Sequence, residues 1–128
     1  MAKELFDEFS AWVDRILLEH ARVKVVAYNF NLYEHEDEFA IQLIGATRFD
    51  CNDDDWPCDE AFTSGEDLFE LPHSLVSRDY RKGLQHAKTL VKEYLKTGKQ
   101  APRLKASQAV GIGFVSGDLY LVYSRSDA

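Results

Sequence analysis

Residues 26–46 read VAYNFNLYEHEDEFAIQLIGA, and this stretch decides the fold. Within a strand spanning 22–33, Val26, Tyr28, Phe30 and Leu32 alternate onto one face. Val25, Ala27, Asn29 and Asn31 form a half-polar second face. A second strand over 39–46 places Phe39, Ile41 and Leu43 on one side and Ile44 on the other. Glu34-His35-Glu36-Asp37-Glu38 between them is too polar for a core and fits the tip of an antiparallel hairpin.

Upstream, Leu5, Phe9, Trp12 and Ile16 recur at helical spacing, with Phe6, Val13 and Leu17 widening the stripe. They predict an amphipathic helix over 3–20. Downstream, Tyr80, Leu84, Ala87, Val91 and Tyr94 predict a second helix over 77–97. Ser77 would cap it, and Gly98 would end it ahead of Pro102. A second hairpin follows, with strands at 108–115 and 118–124 and its turn at Ser116-Gly117. Gly111 and Gly113 share one strand face, so something, a helix for instance, should pack close against it. Residues 47–76 show no period and are long for a loop, which argues for a functional segment or a hidden short element. The expected architecture is α+β in the order α-β-β-α-β-β. An antiparallel sheet of about four strands carries two helices on one face.

The 128 residues, 45% hydrophobic and 12% aromatic, suit one domain spanning 1–128 with one real core. No apolar run is long enough to span a membrane. The N-terminus MAKELFDE is acidic where a signal peptide needs a basic start, so a cytoplasmic location is expected. In that compartment Cys51 and Cys58 are read as free thiols.

Charge is distributed unevenly. Residues 34–70 hold 13 acids against one base, Arg48, for a net of −12. Residues 78–105 hold nine bases against two acids, a net of +7. Such asymmetry bears on partners and not on fold. The acidic section would repel itself unless a cationic partner meets it. Glu36, Asp37, Asp53, Asp54, Asp55, Asp59 and Glu60 are therefore the candidate contacts, with Trp56 as an apolar anchor inside the acidic rim. The competing reading is a solvated loop in which Asp and Asn form turns and Trp56 covers the core. The basic residues Arg78, Arg81, Lys82, Lys88, Lys92 and Lys96 read as a solvated helix face, or as a balance to the acidic tract within or between chains. Overall acidity and the lack of a recognised motif speak against nucleic-acid binding.

Other chemistry is poorly supported. An EF-hand needs Gly at its sixth position and Glu at its twelfth. Counted from Asp50 these are Asp55 and Ala61, and counted from Asp53 they are Cys58 and Ser64. The C-x6-C spacing is no zinc pattern, and His20, His35, His73 and His86 are scattered. There is no nucleophile elbow, no phosphate loop and no dinucleotide fingerprint, so neither cofactor nor catalysis is expected.

A chain of this kind, with FDCNDDDWPCDE at 49–60 and VGIGFVSGDLYLVY at 110–123, resembles the small immunity proteins that neutralise bacterial polymorphic or contact-dependent toxins. The resemblance lies in general layout. It implies inhibition by direct protein binding, often of a basic nuclease toxin, and assigns no residue a role. The expectation is a non-catalytic acidic protein-binding domain. The alternatives are a divalent-metal site or small enzyme built on the same carboxylates, and a homodimeric adaptor joined through an exposed sheet face or edge.

Overall fold

The structure, a computed structural model, describes residues 3–125. Met1 and Ala2, part of the stretch read for a leader, and residues 126–128 lie outside the described residues. The chain runs α1 (Lys3–Glu19), β1 (Ala27–Glu34), β2 (Glu38–Ala46), a 3-10 turn (Trp56–Cys58), β3 (Glu60–Thr63), β4 (Phe69–Pro72), α2 (His73–Val76), α3 (Tyr80–Thr97), α4 (Ala101–Ala106), β5 (Ala109–Phe114) and β6 (Tyr120–Ser124).

The first hairpin forms as its alternation requires. β1 and β2 pair antiparallel without interruption, from Ala27 opposite Ala46 to Glu34 opposite Phe39. Tyr28, Phe30 and Leu32 thus share a face with Phe39, Ile41 and Leu43, and α1 lays Phe9, Trp12, Val13, Ile16 and Leu17 upon it. Phe9 meets Phe69 edge-on at 5.2 Å. α3 packs on this same face through Ala87, Leu90, Val91 and Tyr94.

α3 begins at Tyr80, where its apolar stripe starts, and not at the expected residue 77. Asp79 is its cap, with Oδ1 accepting from the Arg81 amide at 2.9 Å. Ser77, the expected cap, instead joins α2 to α3 with φ at 110°, a backbone region strained for any side chain. α3 ends at Gly98, but not through a left-handed turn, because Gly98 has φ −67°. A Cβ there would lie 2.3 Å from the Tyr94 ring, so glycine is required by packing.

The sheet corrects the expectation of about four antiparallel strands. It has six strands, mixed, in the order β3-β2-β1-β5-β6, with β4 also on β2. The two expected hairpins are both present, but they join side by side through a parallel β1–β5 pair, Tyr28 opposite Val110 and Leu32 opposite Phe114. A parallel pair needs a crossover of a dozen residues or more, and the helical stretch from α2 to α4 supplies it. The two added strands lie in the aperiodic segment. β3 pairs with Ile44–Ala46 and β4 with Glu38–Ile41, end to end along one edge of β2.

The second face of the sheet is covered by the 47–59 loop and not by a helix. Trp56, only 1% exposed, packs on Ala27, Ile44, Ala46 and Ala109, with Phe49 and Leu119 beside it. This explains the two glycines of β5. A Cβ on Gly111 would meet Asn29 Oδ1 at 2.4 Å and Trp56 at 3.3 Å, and one on Gly113 would meet the Asp118 carbonyl oxygen at 2.2 Å. No described helix is long and apolar enough to cross a membrane.

Candidate protein-binding surface

The acidic loop is held by its own aspartates. The Thr47 amide donates to the Asp59 carbonyl at 2.8 Å and closes the loop at its base. Asp50 Oδ1 accepts from the Asn52 amide, and Asp53 Oδ1 from the Asp55 amide, each at 2.9 Å. Both are side-chain turns of the kind short acids form readily. Pro57 suits the start of the 3-10 turn, whose amides at Cys58 and Asp59 reach back to Asp55 and Trp56.

Arg48 draws the ends together. Its Nη2 donates to Asp53 at 2.9 Å, and its Nε donates to Asp59. The Asp55 amide, and then the Arg48 guanidinium, hold the Asp53 carboxyl below the usual range. Hydrogen bonds to Asp59 and Asp53 raise the Arg48 guanidinium above its already high value. Trp56 turns inward and stacks edge-on with Phe49 at 5.3 Å.

The loop's charges therefore separate into two sets. Asp50, Asp53 and Asp59 serve the loop itself. Asp54, Asp55 and Glu60 are exposed and make no ion pair among the described residues. Trp56 is in the core, so its indole offers no contact to a partner in this conformation. Glu36 and Asp37 are exposed at the β1–β2 tip, where the Glu36 carbonyl accepts from Arg78 at 3.1 Å. They do not join the loop residues. The tip and the loop lie at opposite ends of nine-residue β2, roughly 27 Å apart at strand rise.

Two sites are not legible in the sequence. Asp54, Asp55 and Glu60 line a groove of about 260 Å³ on the second face, with Asn29 and Asn31 from β1 and Asp118 and Leu119 from the β5–β6 loop. Asp118 falls within the expected strand 118–124 but lies in the β5–β6 loop, and only the tertiary fold carries that loop to the acidic segment. Near the hairpin tip, His73 is 9% exposed and neither ring nitrogen has a hydrogen-bond partner among the described residues. It packs edge-on against Phe39 at 4.5 Å and lines a shallow cavity with Asp37, Ser74 and Arg78.

The basic helix does not neutralise the acidic section. Among the described residues no ion pair joins a lysine of α3 to an acid of 34–70. α3 lies on one face of the sheet and the acidic loop on the other. Lys88 instead sits 3.8 Å over the Tyr120 ring. Cys51 and Cys58 are exposed free thiols. No group of three His, Cys, Asp or Glu among the described residues is placed to hold a metal ion. No protein-family model, curated protein or solved structure matches the chain.

Proposed function

We propose that the chain is a non-catalytic, cytoplasmic protein-binding domain that captures a basic protein partner, in the manner of an immunity protein neutralising a toxin. The reading rests on one observation. Asp54 and Asp55, on a loop pinned by Trp56, Arg48 and two side-chain turns, and Glu60 at the start of β3 are outward and make no ion pair among the described residues. Charges held this way lose little freedom on binding, so more of their attraction survives as affinity. They also steer a cationic partner during approach. Glu36 and Asp37 form a separate patch that a partner reaches only by spanning β2.

The test is affinity capture from the native host, followed by titration of the captured protein. The triple variant Asp54→Asn, Asp55→Asn, Glu60→Gln is expected to bind at least about tenfold more weakly. Wild-type affinity should fall as ionic strength rises from about 0.01 to about 0.1 M, where the screening length shrinks from about 30 to about 10 Å. Unchanged affinity in the triple variant overturns the proposal.

A second reading, a homodimeric adaptor, is favoured by the β6 edge, where Tyr120 and Leu121 are 40% and 42% exposed. Light scattering separates a dimer from a monomer.

A further inference from the structure

Strand order opens a crevice at one end of the sheet. β1 and β5 run parallel, and their last paired residues are Leu32 and Phe114. Beyond that point β1 turns off toward β2 and β5 toward β6, which lie on opposite sides of the pair. The two turns diverge and leave a space between them. Open sheets take up ligands in crevices of this origin, at the carboxyl ends of parallel strands. The first turns of α3 bound this one through Tyr80 and Leu84. The resulting pocket holds about 660 Å³, against about 260 Å³ for the groove beside the acidic loop. It falls within the roughly 300–1,000 Å³ of small-molecule sites.

The lining decides the class of ligand. Leu32, Leu84 and Phe114 make it apolar, and Tyr33, Tyr80 and Tyr120 add three more rings. Tyr80 and Phe114 meet edge-on, 6.1 Å between centroids and 80° between planes. Tyr80 and its neighbour in the lining, Val115, are still 55% and 57% exposed. Apolar surface left open beside a cavity suits a ligand with an apolar, aromatic body. The charges have one sign. Glu34 and Asp118 are exposed and make no ion pair among the described residues, and no lysine or arginine is among the described lining residues. His35 leans on Glu38, 3.8 Å from its carboxylate. The ammonium of Lys88, 3.8 Å over the Tyr120 ring, shows that this aromatic wall already serves a cation. We propose that the pocket binds a small aromatic amine, its ring among the tyrosines and its ammonium at Glu34 and Asp118. The pocket shares Asp118 with the groove of the acidic loop but includes none of Asp54, Asp55 and Glu60, so the proposal stands apart from the protein-partner reading.

The experiment titrates the isotope-labelled full chain with tryptamine, following the backbone amides of Glu34, Val115 and Gly117 by NMR. N-acetyltryptamine, which keeps the ring and loses the charge, and indole-3-propionate, which reverses it, are the comparisons. Saturable shifts at these three residues are expected with tryptamine, and binding at least about tenfold weaker with either comparison compound. The exposed double variant Glu34→Gln, Asp118→Asn should bring tryptamine down to the affinity of N-acetyltryptamine and leave the latter unchanged. Tyr80→Ala should weaken both. Equal or tighter binding of the neutral or anionic compound overturns the proposal, as does an unchanged tryptamine affinity in the double variant. Shifts confined to residues 53–60, or none that saturate, overturn it as well.

Discussion

Trp56 and Tyr94 show how single side chains divide the work. Trp56 closes the second core, so Trp56→Ala should cost about 3–5 kcal/mol. Asp54→Asn, two residues away and exposed, should change stability by no more than about 0.5 kcal/mol. Urea unfolding of both variants checks the contrast, and a small loss at Trp56 would mean the indole does not anchor the loop. Tyr94 ties α1 to the α3–α4 junction. Its hydroxyl donates to Asp14 at 2.5 Å and accepts from the Gln100 amide at 3.0 Å. Burial, then the bond to Asp14, raise the phenol well above its ordinary value of 10.0. Burial likewise raises Tyr28, against the pull of Arg103. A raised phenol favours the protonated form in the fold. The stability it contributes is fully present below pH about 10 and is lost as pH climbs past that toward the raised value. Tyr94→Phe should therefore weaken the fold at neutral pH by about 1–3 kcal/mol and flatten the alkaline limb of a stability–pH curve. An unchanged alkaline limb would refute the assignment.

At the scale of elements, α3 yields a prediction opposite to the usual rule. Gly→Ala in an exposed helix interior commonly gains about 0.5–1 kcal/mol. A Cβ on Gly83 would instead lie 2.3 Å from the Phe39 ring. Phe39 is fully buried and wedged between His73 and Phe114, so it has no room to yield. Gly83→Ala should lower the thermal midpoint, with overpacking costing about 1–3 kcal/mol, and a raised midpoint would show that the ring can move. The same packing logic explains what the sequence revealed. α1, α3 and the two hairpins carry enough turns or alternations to be legible alone. β3 and β4 have four residues each, too few for a period, and exist because β2 offers an open edge. Nothing local in β1 or β5 encodes that they run parallel. That outcome depends on the crossover between them. The candidate site divides likewise. Charge alone nominated Asp54, Asp55 and Glu60, whereas the inward turn of Trp56 and the approach of Asp118 to the loop are tertiary facts.

As a whole, the molecule is a sheet with helices on one face and the acidic loop on the other, and its most sheltered strand is β1. That strand is flanked by β2 and β5, with helices above and the Trp56 loop below. Hydrogen exchange should find the amides of Phe30 and Leu32 the slowest, opening only with global unfolding, while those of 50–55 exchange by local opening. Faster exchange in β1 than in β6 would contradict the strand order. The central position of β1 has a further consequence, felt while the chain is being made. β2 is complete at residue 46, but β5 spans 109–114. At roughly 5–20 residues per second on the ribosome, β1 waits roughly 3 to 14 s with one edge open. During that interval an apolar strand edge is exposed to neighbouring nascent chains, so the time of greatest aggregation hazard for this protein falls before its last hairpin emerges.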